Sequence, residues 1–283
     1  MSSNFQHCAA LVREADRDRY LATLFAPAEH RDGLHALYAF NIEISRVRDL
    51  AREPMPGEIR LQWWRETMSG GRAEEVTAHP VAAALRETLQ RYGIPAARLA
   101  ALIDAHEFDL YDEPMPTAAD LEIYAIKTQS TVFAVAGEIL GVRGPASDLV
   151  TLDTGVAYAI TGILQALPRH AARQPLYLPL DTLKRRGVEA DELFAGQTSE
   201  GLRAALADLR ALARKHLAQA QAKLDGAPPE ILPALLPAAS VGASLRSMDR
   251  PRYEPLQIRP LPPWRRQWLL WRAARDPKRI FQV

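Results

Sequence analysis

Apolar residues recur along this chain at intervals of three and four and do not alternate with polar ones over a strand's length, so the pattern predicts helix throughout. Residues 31–51, RDGLHALYAFNIEISRVRDLA, place Leu34, Leu37, Tyr38 and Asn41 on one helical stripe. Residues 80–93 open on proline and end on glycine, the residues favoured just inside a helix start and just past its end. Residues 95–114 repeat that grammar. A longer helix is expected over 117–141, with Thr117 as N-cap and Asp120 three residues on. Further helices are expected over 146–167 and, strongly amphipathic, over 198–226. Loops rich in proline and glycine separate these segments. With no repeat and no low-complexity linker, the reading is one all-α domain over residues 1–250, followed by a tail of different character over 251–283.

The tail holds eight basic and two acidic residues, and three of the five tryptophans. Trp264, Trp268 and Trp271 follow an i, i+4, i+7 spacing, which is one face of a helix, with Arg265, Arg266, Arg272 and Arg275 around them. An aromatic face flanked by arginines suits docking to a membrane surface or a protein partner. The alternative is a terminal helix that buries its tryptophans in the domain's own core.

Composition narrows the function classes. The chain has 283 residues, is 48% hydrophobic and carries a net charge of +1, which gives no reason to expect a nucleic-acid partner. A single cysteine, Cys8, rules out a disulfide within the chain and a cysteine-rich zinc site. The N-terminus has neither the apolar run of a secretory signal nor the acid-poor composition of a transit peptide, so a bacterial, cytoplasmic protein is expected. No run of about 18 consecutive apolar residues suggests a membrane-spanning helix. His106, Asp109 and Asp112 fall at i+3 steps and could imitate a metal cluster, although a solvated helix face is the simpler expectation. Trp63 and Trp64 read as helix packing.

Four stretches occur in a telling order: RYLATLFAPAEHRDGLHALYAFN (19–41), IRLQWWRETMSGG (59–71), HPVAAAL (79–85) and LYLPLDTLKRRGV (176–188). Together they resemble the squalene/phytoene synthase family. The resemblance implies an all-α, isoprenoid-synthase-like helical bundle around a central cavity, in which two aspartate-rich motifs face each other. It also implies head-to-head joining of two prenyl diphosphates. Aspartates at i and i+4 share a helix face. Two such pairs hold Mg²⁺ through oxygen ligands, and the metal neutralises the departing diphosphate.

This sequence departs from the pattern where that chemistry would sit. In the first motif, NIEISRVRDL, Ser45 and Arg46 stand at aspartate positions and Asp49 alone remains. In the second, GVAYAITGILQALPRH, Ala159, Gly162 and Gln165 replace Gln, Asn and Arg, and Ala166 and His170 replace the two aspartates. Pro168 between them is expected to disrupt the helix. This pattern resembles the non-enzymatic branch of the family, which includes a mitochondrial complex I assembly factor and its bacterial counterparts. The resemblance therefore implies a catalytically degenerate protein, an accessory or assembly factor whose partners are respiratory complex I subunits or assembly intermediates. It implies no metal and no cofactor, and a cytoplasmic location, peripheral at the inner membrane. The alternative is an active prenyl transferase with atypical Mg²⁺ ligation.

Guanidinium groups stand near both degenerate motifs, and arginine binds phosphate through paired hydrogen bonds. Candidate cavity residues for a prenyl or anionic lipid are accordingly Arg19, Tyr20, Tyr38, Arg46, Asp49, Arg169, His170 and Tyr177, with Arg48 alongside. The simpler expectations are that the arginines near the motifs point outward or pair with Glu43, Asp49 and Glu53, and that DRDR (16–19) is a solvated charge cluster. Candidate docking residues are Trp264, Arg265, Trp268, Trp271 and Arg272.

Overall fold

The computed structural model describes residues 3–282 except 52, 112, 174–176, 190–194, 197 and 258. Among the described residues there is helix and no strand. The α-helices are α1 (Ser3–Ala15), α2 (Arg17–Thr23), α3 (Ala28–Ser45), α4 (Val47–Leu50), α5 (Pro54–Met68), α6 (Ala73–Ala78), α7 (Pro80–Tyr92) and α8 (Ala97–Ala105). They continue as α9 (Ala118–Ala125), α10 (Thr131–Ile139), α11 (Pro145–Arg173), α12 (Leu180–Arg185), α13 (Glu200–Leu224), α14 (Leu232–Leu235), α15 (Val241–Met248) and α16 (Pro263–Arg275).

Local chemistry sets many of these limits. Pro80 starts α7, and Gly93 ends it at a φ of 60°, a left-handed conformation that costs glycine little. The Thr117 hydroxyl accepts from the Asp120 N–H at 3.1 Å and caps α9. The helix expected over 117–141 is one helical run carrying a wider π-turn at Ile126–Ser130 between α9 and α10. The predicted stripe of Leu34, Leu37, Tyr38 and Asn41 is buried in α3. That helix stops at Ser45 instead of reaching residue 51, and the chain turns at Arg46 into α4, burying Val47.

Helix α11 runs through the middle of the bundle, against α13 along its length and against α9, the π-turn and α10. Gly155 makes the closest of these approaches: a Cβ there would lie 2.3 Å from the backbone N and Cα of Ser130. The Ser130 hydroxyl donates to the Leu152 carbonyl at 2.7 Å across the same contact. Pro168 does not break α11, which continues through it to Arg173. Leu164 and Leu167 are buried before the proline and the His170 ring packs on Tyr177 beyond it. Packing on both sides thus offsets the lost backbone hydrogen bond.

A second tie between α11 and α13 is polar. His216 contacts Asp153 through Nδ1 at 2.7 Å and Glu122 through Nε2 at 3.0 Å, while Lys223 reaches the other Asp153 oxygen at 2.5 Å. Burial disfavours the His216 cation, but the bonds to Asp153 and Glu122 outweigh it and raise its pKa. Burial likewise opposes ionised Asp153, and His216 and Lys223 nonetheless hold its pKa below the usual value.

Two helical stretches, Pro145–His170 and Pro229–Met248, are apolar and long enough to cross a bilayer, with 67% and 78% of their most apolar windows buried inside the protein. Their apolar faces meet other helices of the bundle. The tail returns to the same core: Leu270, Ala273, Ile280 and Phe281 are buried in it, and Arg266 pairs with Asp18 of α2 at 3.0 Å.

Candidate functional site

The two degenerate motifs still meet in space, and Tyr177 marks the meeting point. Its ring lies against His170 of the second motif, with centroids 4.7 Å apart. Arg48 and Asp49 of the first motif are close enough for their charges to act on its hydroxyl. That hydroxyl donates to Asp109 Oδ1 at 2.8 Å. The Tyr124 hydroxyl also donates to Asp109, at 2.9 and 3.1 Å, and His106 Nδ1 lies 2.5 Å from its other oxygen. Arg48 closes the group by donating to the Leu110 carbonyl at 2.7 Å.

Asp109 is therefore a hub, 7% exposed, joined to groups from three stretches of chain, with His106 only 4% exposed. The expectation of a solvated helix face at His106 and Asp109 is wrong, and Asp112 lies outside the described residues. Helix α8 ends at Ala105, and a tight turn at Phe108–Leu110 swings Asp109 inward toward Tyr124 and Tyr177. Burial raises the pKa values of Tyr124 and Tyr177, and the Asp109 charge raises them further, so both phenols stay protonated donors.

This arrangement does not fit a Mg²⁺ clamp. Ser45, Arg46, Ala166 and His170 offer no carboxylate. Glu53, four residues after Asp49, lies beyond the end of α4 at Leu50 and takes the N-cap position of α5, so the two do not share one helix face. Among the described residues, no group of three or more His, Cys, Asp or Glu side chains is placed to hold a metal ion. The buried Asp109 carboxylate at the junction is already engaged by two tyrosines and a histidine.

The other candidates separate. Arg19 is not solvated: it is buried, its guanidinium bonds Asp16 at 3.2 Å and Gln129 at 2.7 Å, and it sits over the rings of Tyr38 and Tyr158, each 5.2 Å away. Tyr38 is a wall of that cage, and Tyr20 stacks on His35 with centroids 5.5 Å apart. Arg46 lies on a groove beside Leu50, Ile59 and Trp63. In that groove burial pushes the Glu43 carboxyl up to about 7. Arg169 lines a different cleft of about 550 Å³, shared by the start of α2, one face of α11, α15 and the tail. Arg46, Arg48 and Arg169 thus lie in three places and do not form one anion site.

The 550 Å³ cleft gathers Arg17, Arg169, Arg259 and Arg266 with Thr161 and Gln165, and Glu14, Asp16 and Asp18 also line it. Thr161 Oγ1 and Arg266 Nε are buried there without a hydrogen-bond partner. The sequence reading missed Arg17, Arg259 and Arg266 as cleft residues, because the tail that brings two of them was read as a separate element. It also missed His106, Asp109 and Tyr124 as parts of the junction.

The tail helix α16 inverts the alternative reading. Trp264, Trp268 and Trp271 are 68%, 48% and 44% exposed, and Leu270 and Ala273 supply the buried face. Arg272 stacks over Trp268 and Arg275 over Trp271, at 4.4 and 3.6 Å from the ring centroids. Trp63 and Trp64 do pack within the helices: Trp64 is buried, and Trp63 Nε1 donates to Glu75 at 2.8 Å.

Known proteins resemble this chain along most of its length. The family description "Squalene/phytoene synthase" matches residues 12–272. The rat protein "NADH dehydrogenase (ubiquinone) complex I, assembly factor 6" is 30% identical over 244 residues, covering 86% of this chain and 73% of that protein. The phytoene synthase of Thermus thermophilus is 29% identical over 219 residues, covering 76% of this chain and 72% of that protein. Among solved structures, the squalene synthase HpnC from Alicyclobacillus acidocaldarius superimposes with a TM-score of 0.74 at 21% identity, covering 87% of this chain and 92% of that one. With the ordered sequence stretches, the helical fold and these matches in agreement, the chain belongs to the squalene/phytoene synthase family.

Proposed function

We propose that this chain is a non-catalytic member of its family, an accessory factor in the assembly of respiratory complex I that works at the cytoplasmic face of the inner membrane. The observation that carries the reading is the junction around Tyr177. The positions that would carry the family's metal ligands hold Ser45, Arg46, Ala166 and His170, and the nearby buried carboxylate is committed to Tyr124, Tyr177 and His106. The similarity to complex I assembly factor 6 over 86% of the chain supports the same direction. No metal or cofactor is required for such a role. In this reading complex I subunits or assembly intermediates are the partners, and α16 is the docking element.

The arginine-lined cleft supports a companion role, retention of a prenyl or anionic lipid without turnover. Its two buried unpartnered donors, Thr161 Oγ1 and Arg266 Nε, are chemically suited to an anionic oxygen. The rival reading, an active prenyl transferase, draws on the similarity to the Thermus thermophilus phytoene synthase. Removing the protein from its native cell separates the two readings. The accessory role predicts a loss of assembled complex I with squalene- and phytoene-type products unchanged. Intact complex I with one of those products missing would favour the transferase.

A further inference from the structure

Helix α16 leaves its aromatic face uncovered although the rest of the tail is well anchored. Leu270, Ala273, Ile280 and Phe281 fix it to the core and the Arg266–Asp18 pair fixes its first turn, so the exposure of Trp264, Trp268 and Trp271 belongs to a docked helix. Beside the first turn of α16 lies a groove of about 630 Å³ lined by Arg250, Arg252, Arg259 and Arg265. Arg259 bonds the Gln257 amide oxygen at 2.8 Å. Among the described residues none of the four arginines is paired with a carboxylate. Helix α2, on which α16 packs, ends at exposed Leu24 and Phe25.

We propose that α16 and the arginine groove at its foot form one docking surface for an anionic lipid bilayer. The charge identifies the occupant: four arginines without carboxylate partners in one groove call for a surface dense in phosphate, and guanidinium takes phosphate oxygens two at a time. The aromatic part fits the same surface. Indole rings favour the boundary between headgroups and acyl chains, where an apolar body and an N–H are both accommodated. Arg272 and Arg275, stacked on Trp268 and Trp271, keep a cation beside each ring, at the level of the lipid phosphates once the rings are seated. A single amphipathic helix with a basic groove gives reversible attachment parallel to the membrane. This inference rests on the reading of the tail as the docking element and specifies its partner.

The test is flotation of the whole chain with vesicles of phosphatidylcholine alone and of phosphatidylcholine with phosphatidylglycerol, read also by tryptophan fluorescence. The expected result is binding to the anionic vesicles, weakened by added salt, with a blue-shifted emission, and little binding to the neutral ones. Replacing Trp264, Trp268 and Trp271 together by alanine should weaken binding about tenfold or more, because that apolar face no longer inserts. Since those side chains are exposed, the variant should keep its circular dichroism and melting temperature. Arg250→Gln, Arg252→Gln and Arg265→Gln should each weaken binding about fivefold and flatten the salt dependence. The proposal is overturned if the unaltered chain floats with neither vesicle, if it self-associates through the tryptophans instead, or if both sets of variants float as well as the unaltered chain. A chain that supports complex I assembly yet floats with no vesicle would overturn the lipid surface and leave the accessory role standing.

Discussion

Replacing Asp109 by alanine is expected to destabilise the protein by about 4 kcal/mol, while the isosteric Asp109→Asn costs about 1–2 kcal/mol. The alanine leaves two tyrosine hydroxyls and one imidazole nitrogen with no acceptor at a site that is 7% exposed, and each orphaned group forfeits its compensation for desolvation. Asparagine keeps an amide oxygen for Tyr124 and Tyr177, and its NH₂ can donate to His106 Nδ1 once the imidazole proton moves to Nε2. What it loses is the charge that strengthens the bonds. Urea denaturation checks both values, with the midpoint falling and the slope unchanged. An Asp109→Ala loss under 1 kcal/mol would mean that the two tyrosines and the histidine are not held by this carboxylate.

A comparable loss, about 3 kcal/mol, is expected from Gly155→Ala, on a helix where alanine is normally the better residue. Helix propensity alone favours the substitution by about 1 kcal/mol. Contact geometry overrides it, because the new Cβ meets backbone atoms of Ser130 at 2.3 Å, and backbone cannot rotate aside as a side-chain tip can. Relief requires α11 to move away from the π-turn, which loosens the Ser130–Leu152 bond and the packing around Tyr158 and Phe133. Thermal melting should show a drop of about 5 °C for a protein of this size. A melting temperature equal to or above that of the unaltered chain would show that α11 and the π-turn are not in this contact.

The sequence reveals local rules and conceals which way a face points. Pro80, Gly93 and Thr117 mark helix ends because capping and backbone conformation act within a few residues. The stripe of Leu34, Leu37, Tyr38 and Asn41 is legible because burial imposes the helical period. The spacing of His106 and Asp109 has the same form, but whether that face meets water depends on Tyr124 and Tyr177, which arrive from 15 and 68 residues away. The tail repeats the problem in reverse. Its tryptophans do share a face, yet Leu270 and Ala273 anchor the opposite one, leaving the larger rings outside. Pro168 shows a local rule outweighed, since Leu164, Leu167 and the His170–Tyr177 contact hold the helix on both sides of it. The motif losses themselves are visible in the sequence, because they are changes of residue type; what fills the junction is visible only once the chain is folded.

A bundle with this junction is expected to have lost prenyl transfer. Farnesyl diphosphate and geranylgeranyl diphosphate, each supplied with and without Mg²⁺ to the folded protein, with diphosphate release followed over time, give the most direct test. The expected result is no release above the protein-free control in either condition, because Ser45, Arg46, Ala166 and His170 provide no carboxylates for the metal that would draw the diphosphate away. Mg²⁺-dependent release, with a coupled prenyl product, would contradict the account and show that Asp49 and ligands outside these two motifs assemble a working metal site.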